Sequence, residues 1–472
     1  MTVSGFSESK GHTRVQWAVT ILCNMSLLTY GLQCGWVSPM TKILQSEESP
    51  TGRPLTDTEI SWIASAPALA GVAGVVMFLP FVDRYGRKLS IIVMNFLQAC
   101  VWIIKLLPAS TTSLMVARVF CGLAGGGCFH IVPMYVKEIA QDNIRGTLAS
   151  IFVLAQSAGI FIMYALGGFL DYNTVLWIVV GLPILTFAIF FKAPESPSYL
   201  VKMGKTDEAA ATLALLRGMN VDDKEIQREV DDIKRDDEYF KSIPDISIIT
   251  VFKTKAWRKA FLIMIMVILV HATNGGYSIL NYASILLSDS GVTISPELQS
   301  LSIPICMIVG SLITMATIDR LGRKPILGIA FCTSAIAFAS IATSIVVKRY
   351  GYSTPGWINV AMLMICVCCY GGGVSPIPFI VMPEIFNFQI RAKLMGYLVM
   401  MAWFMSFIQL LAFGVLTSHY GAHVGFYIFV GLNILGTVVA VVVMPETKGK
   451  SVEQIEKELA GEVTKDVEKE GY

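Results

Sequence analysis

The chain alternates between long apolar runs and short polar breaks. The runs fall at about 17–37, 59–82, 89–107, 111–136, 147–170, 174–192, 257–287, 297–318, 325–347, 357–382, 394–418 and 423–443. A stretch of about twenty apolar residues, rising about 1.5 Å per residue as a helix, crosses the hydrocarbon of a bilayer. Twelve transmembrane helices are therefore predicted. The polar breaks carry helix-start chemistry: Thr56-x-x-Glu59 forms a capping box before the second span, and Ser295-Pro296 supplies a cap and a first-turn proline before the eighth.

The polar segments divide the chain into a tail (1–16), six spans (17–192), a linker (193–256), six more spans (257–443) and a second tail (444–472). Helical stripes in the linker, at Ala209, Leu213, Leu216 and at Ile226, Val230, Ile233, predict short amphipathic helices lying on one face of the membrane. After the last span, Ser451-x-x-Gln454 opens a segment with Val452, Ile455 and Leu459 on one side. The charged residues beyond it predict a disordered end.

The two sets of six spans are related. Asp83-Arg84-Tyr85-Gly86-Arg87-Lys88, between spans two and three, returns as Asp319-Arg320-Leu321-Gly322-Arg323-Lys324 between spans eight and nine, 236 residues later and half of the 472-residue length. One unit has been used twice. In each copy a glycine sits where a tight turn between two helices needs positive φ.

Charge orients the spans. Of the 36 Lys and Arg, thirty fall with both termini and the alternate loops, five fall on the other side, and Arg118 lies inside span four. The positive-inside rule then places both termini in the cytoplasm. Composition agrees with a membrane protein: 54% of residues are hydrophobic, only 15% are charged, and mean hydropathy is +0.63. A net charge of +2 with no basic tract gives no footprint for nucleic acid. All ten cysteines lie in apolar runs and act as small hydrophobes, so no disulfide framework is expected. Glycine clusters at 122–127 and 371–373 lie inside spans, where they serve close helix packing rather than nucleotide binding. His419 and His423 have a metal-ligand spacing but no companion ligand and read as surface residues, so neither metal nor cofactor is expected.

Motifs distributed over the chain resemble those of the sugar-porter family of the major facilitator superfamily. They are Asp83 to Lys88, Pro133-Met134-Tyr135-Val136-Lys137-Glu138 running to Arg145-Gly146, and Pro194-Glu195-Ser196-Pro197 after span six. The second half adds Asp319 to Lys324, Pro383-Glu384-Ile385-Phe386 with Arg391, and Pro445-Glu446-Thr447 after span twelve. Gly35-Trp36-Val37-Ser38-Pro39 and Ser61-Trp62-Ile63 look most like the insect facilitated trehalose transporter branch. The resemblance implies an all-α membrane protein with two pseudo-symmetric six-helix bundles around a cavity that opens alternately to each side. It also implies a plasma-membrane carrier of a small polar solute, a hexose or trehalose, working by facilitated diffusion, for which a single chain in a lipid bilayer is adequate. No catalytic constellation stands out, so an enzyme is not expected.

By the same resemblance, Asp83, Arg84, Arg87, Glu138, Arg145 and Glu195 of the first half, with Asp319, Arg320, Arg323, Glu384, Arg391 and Glu446 of the second, form a conformational charge lock. Arg118 matches a family arginine in span four, and so deep a charge is functional by default. The solute site departs from the family pattern. Val153 replaces a glutamine in span five, and His271-Ala272 and Tyr277 replace Gln-Gln and Asn in span seven. Phe379 replaces a tryptophan in span ten, and Trp403 is kept while Ser406 replaces an asparagine in span eleven. Gln156, Asn274 and Asn281 either rebuild a solute site with His271 or bond neighbouring helices; His130 is assigned to the latter. The altered pocket keeps two alternatives open: a non-sugar solute, or a solute sensor on a carrier fold. Gln33 aligns with the span-one aspartate of proton-coupled relatives and cannot titrate, so uniport is expected.

Overall fold

The computed structural model describes residues 12–242, 248–288, 296–352, 354–386, 388–450 and 452–461. The Ser295 and Ser451 caps, the end of the second tail and the side chains of Arg145 and Asp319 lie outside the described residues. Span one is Arg14–Gly35, and spans two and three form one helical run, Asp57–Leu106. The turn expected between them is made by one residue, Gly86, at φ 88°. Its counterpart Gly322, at φ 91°, separates span eight, Pro296–Leu321, from span nine, Arg323–Arg349. The same turn chemistry serves both halves. Spans four to six are Thr111–Ile139, Asp142–Phe169 and Tyr172–Phe190, and span eleven is Phe388–Tyr420. Thr56 and Glu59 close the expected capping box at the start of span two.

Three spans are interrupted. Span seven breaks between Lys255–Thr273 and Gly276–Ser288. Span ten, Gly356–Cys369, widens into a π-helical turn at Tyr370–Val374 before Pro376–Ile385, and span twelve, Ala422–Val438, ends in another at Val439–Val443. Eleven runs among the described residues are long and apolar enough to cross a membrane, and the run from Asp57 holds two spans. The protein is a twelve-span, multi-pass membrane protein made of two six-helix bundles.

Glycine lets helices within a bundle approach backbone to backbone. A Cβ on Gly126 would fall 2.5 Å from the Gly71 carbonyl oxygen, and one on Gly122 2.2 Å from that of Pro67, which joins spans two and four. In the second half, a Cβ on Gly310 would lie 2.1 Å from the Cys368 carbonyl oxygen, joining spans eight and ten. All ten cysteines are free thiols.

The linker carries helices at Pro197–Lys202, Thr206–Arg217, Lys224–Ser242 and Ile248–Lys253. Ala209, Leu213, Leu216, Ile226 and Val230 are buried. Arg217, itself buried, donates to the Ile139 carbonyl at the end of span four (2.8 Å) and pairs with Glu229. Gln16, at the start of span one, bonds the Leu216 carbonyl and the Gln141 N–H, and His12 N donates to the Arg217 carbonyl (2.7 Å), which ties the first tail to the linker. The last helix, Val452–Ala460, docks on the start of span seven through Trp257 Nε1 to Glu456 (2.7 Å) and Lys255 to the Ala460 carbonyl (2.8 Å). Both tails and the linker thus share one face, the terminal face.

Candidate functional site

The halves meet along spans two and eleven. Ser61 lies against Gly414 near one end, Gly71 against the Trp403 ring in the middle, and Leu79 against Gly396 near the other end. Tyr164 of span five donates to the Leu280 carbonyl of span seven (2.7 Å). The halves are therefore apposed on both sides of the seam.

Span seven is broken inside the second half, between Thr273 and Gly276. Gly275, at φ 98°, turns the chain, and the Asn274 side-chain oxygen accepts from Gly276 N (2.6 Å). Two polar side chains from other spans satisfy the backbone that the break frees. Asn433 of span twelve donates to the Asn274 carbonyl (2.8 Å), and Gln409 of span eleven, with its amide set by its neighbours, donates to the Ala272 carbonyl (3.1 Å) and accepts from Gly275 N (2.9 Å). Both are buried. Neither is among the residues that sequence reasoning singled out; their signal is a lone amide in an otherwise apolar span.

His271 sits one turn before the break, with Nδ1 2.8 Å from the Val374 carbonyl and its ring edge-on to Phe379 at 5.4 Å. Tyr277 starts the second half-helix and turns its hydroxyl toward Tyr30 and Cys34 of span one. Asn281 bonds the Tyr277 carbonyl of its own helix (2.9 Å). Trp403 packs edge-on to Phe129 (5.7 Å), which in turn contacts Tyr30 and Phe152, each at 5.5 Å. Val153, Gln156 and Ser406 are half-buried. The structure thus joins His271 to Phe379, and Trp403 to an aromatic cluster of Tyr30, Phe129 and Phe152 that the sequence did not single out. Arg118 donates to the carbonyls of Ile63 (2.8 Å) and Gln33 (3.0 Å), stitching spans one, two and four together.

The charged motifs line the terminal face in two matching sets. In the first half, Arg87 forms a two-pronged pair with Glu138 (2.9 and 2.8 Å), Ser196 also donates to Glu138, and Glu195 accepts from the Arg87 and Lys88 backbone (3.0 and 3.1 Å). In the second, Arg323 pairs with Glu384 (3.0 Å), Thr447 donates to Glu384, and Glu446 accepts from Arg323 N and Lys324 N (both 3.0 Å). These described pairs each lie within one half. Asp83 pairs with Lys202 (3.0 Å), Arg84 and Arg320 are exposed, and Arg391 Nε donates to the Phe386 carbonyl (3.2 Å). The two capping glutamates differ electrostatically. Burial raises the Glu195 carboxyl despite its backbone donors, whereas the donors around the less buried Glu446 outweigh burial and lower it.

These sets predict unequal costs. Arg87→Met strands the carboxylate of a largely buried pair and should destabilise the protein by about 3 kcal/mol, whereas Arg84→Met should stay within about 1 kcal/mol. Melting curves of the purified variants check this; equal shifts would contradict it.

A duplicated twelve-helix bundle whose seventh span is broken has the major facilitator fold. The chain belongs to the family described as "Sugar (and other) transporter", whose model matches residues 18–459. It is 26% identical over 453 residues to the facilitated trehalose transporter Tret1 of Anopheles gambiae, covering 96% of this chain and 56% of that one. The Tret1 of Culex quinquefasciatus is 26% identical over 443 residues, covering 93% and 85%. The chain thus spans little more than half the length of the Anopheles relative. Among solved structures it is similar to the proton:xylose symporter XylE bound to 6-bromo-6-deoxy-D-glucose, with a TM-score of 0.76 at 19% identity over 94% of this chain and 99% of that one. The inward-open xylose transporter XylE from E. coli gives 0.77 at 18% identity, covering 93% and 99%. These likenesses establish the fold.

Proposed function

We propose that this protein carries a sugar, a hexose or trehalose, or a related small polar solute across the plasma membrane by alternating access, as a uniporter with both termini cytoplasmic. The observation that supports this reading most is the broken span seven of a duplicated bundle, whose second half-helix brings Tyr277 against Tyr30 and Cys34 and Leu280 against Tyr164 of the other half. Membrane carriers place their solute at such a repeat interface, beside discontinuous helices. The relatives' names supply the sugar class. In this reading His271, Asn274, Tyr277, Asn281, Phe379, Trp403, Ser406 and Gln156 meet the solute. Asp83, Arg84, Arg87, Glu138, Arg145 and Glu195 hold the cytoplasmic side of one half, and Asp319, Arg320, Arg323, Glu384, Arg391 and Glu446 hold that of the other. Several modest ion pairs bias a two-state equilibrium without freezing it.

Counterflow of labelled sugars and polyols in proteoliposomes tests the reading: at least one sugar should exchange. Uptake should carry no proton, because Gln33, whose carbonyl accepts from Arg118, has a side chain that cannot titrate. Solute-driven alkalinisation of the external medium would overturn uniport. Ligand-induced stabilisation without exchange would mark a sensor instead.

A further inference from the structure

Span nine turns one face to its own bundle and the other outward. Phe331, Phe338 and Ala342 are buried, whereas Ile329 and Ile336, on the opposite side of the helix, are 62% and 63% exposed. Apolar surface left exposed along a span meets lipid. On this outward face lies a cavity of about 490 Å³, lined by span nine from Ile336 to Val347 and by Thr354 and Ile358 at the start of span ten. The small side chains of Ala339, Ser340 and Ser344 leave the space, and Ile336, Val347 and Ile358 supply its apolar rim.

Depth and polarity narrow what can fill it. The cavity lies toward the end of span nine away from the terminal face, where Tyr350, Tyr352 and Trp357 are largely exposed, and such aromatic side chains mark the headgroup level of a bilayer. It therefore sits just below that level, within one leaflet. The side-chain polar atoms of its wall are all hydroxyls. Ser344, itself buried, donates to Thr354 Oγ1 (3.0 Å), which leaves the Thr354 hydrogen for another acceptor. Ser340 donates back to the Ile336 carbonyl (2.9 Å), and Thr343 pairs with the Tyr427 hydroxyl of span twelve (3.3 Å). Arg349, at the end of span nine, does not reach over the cavity: its Nη2 lies against Gly421, where an added Cβ would fall 2.2 Å away.

We infer that this cavity between spans nine and ten binds a sterol from the surrounding leaflet. A sterol carries a single hydroxyl as its whole polar head, which can accept from Thr354, and an uncharged wall of hydroxyls and aliphatic groups suits the rest of it. Between Val347 and Ile336 span nine rises about 16 Å, which gives a fused ring system a track to lie along. A rigid ring body loses little conformational freedom on docking, whereas a flexible acyl chain must be ordered to fill the same shallow space. A phospholipid headgroup would call for charge-assisted donors to its phosphate, and the Arg349 guanidinium is turned to Gly421.

The test photolyses the full-length protein, in phosphatidylcholine nanodiscs, with cholesterol that carries a diazirine, and maps the labelled peptides. Label should concentrate on 336–347 and 354–358 and saturate. Unlabelled cholesterol should displace it, and cholestane, which lacks the hydroxyl, should compete poorly. Ala339→Trp, which fills the cavity, should lose the label, while Ile329→Trp, two turns away on the same outward face, should keep it. Should Ala339→Trp not fold, Thr354→Val should weaken apparent affinity by about 2- to 10-fold, the range of one net hydrogen bond. Label spread evenly over the lipid-facing spans, equal competition by cholestane, or undiminished labelling in Ala339→Trp or Thr354→Val overturns the site. So does diazirine-bearing phosphatidylcholine that labels the cavity and is not displaced by cholesterol, which would assign the space to a phospholipid.

Discussion

Gly126→Leu should abolish accumulation of a folded, monodisperse protein, while Gly181→Leu, also within a span, should behave as the parent. At Gly126 an added Cβ would fall 2.5 Å from the Gly71 carbonyl oxygen and 2.6 Å from Val75 N, both backbone atoms of span two. At Gly181 it would meet nothing within 4 Å. Overpacking a core costs about 1–3 kcal/mol when side chains can yield, but here a whole helix must move. The movement is expensive because lipid supplies no hydrophobic drive between helices, leaving close dispersion contact to hold spans two and four together. Gly310 of span eight meets the Cys368 carbonyl oxygen of span ten as closely, at 2.1 Å, and should be as intolerant. Size-exclusion profiles and melting curves check the pair; parent-like melting of Gly126→Leu would contradict this account of the packing.

Much of the fold was legible because the bilayer enforces it. Backbone groups in hydrocarbon must bond within their own helix, so twelve apolar runs gave twelve spans, and a repeated charged motif with a central glycine gave the duplication. The buried stripe at Ala209, Leu213 and Leu216 follows from helical period alone. What stayed hidden depends on partners distant in sequence. Gln409 and Asn433 bond the backbone freed at Gly275, and no local pattern announces a break in a helix 134 or more residues upstream. Tyr30, Phe129 and Phe152 look like any lipid-facing aromatic until span eleven brings Trp403 beside Phe129. Lys105 entered the charge count as one of five outer cations, yet two indoles enclose it. The residues singled out for the solute were found by their departure from a family pattern, and that shows where amides are missing but not what fills their space.

Glucose affinity should rise when those amides are returned, in a protein combining Val153→Gln, His271→Gln, Ala272→Gln and Tyr277→Asn. In the parent, His271 commits Nδ1 to the Val374 carbonyl and its ring to Phe379, and Tyr277 directs its hydroxyl at span one. Both therefore spend their polarity on the protein, and neither Val153 nor Ala272 has a polar side chain to offer a sugar. A net hydrogen bond contributes about 0.5–1.5 kcal/mol, so three regained bonds amount to about 2–4 kcal/mol. That corresponds to roughly 30- to 1000-fold in affinity. Asn274 does not close the gap, because its side-chain oxygen already caps Gly276 N, and the described bond of Asn281 goes to the Tyr277 carbonyl. Replacing Tyr277 also removes a ring from the seam with Tyr30 and Cys34, so the solute should exchange faster as well as bind more tightly. Equilibrium binding of labelled glucose to purified protein, with a melting curve to confirm folding, measures the change. High-affinity glucose binding by the parent, or an unchanged affinity in the folded fourfold variant, would remove the argument that this pocket has exchanged amides for aromatic and apolar surface to take a different solute.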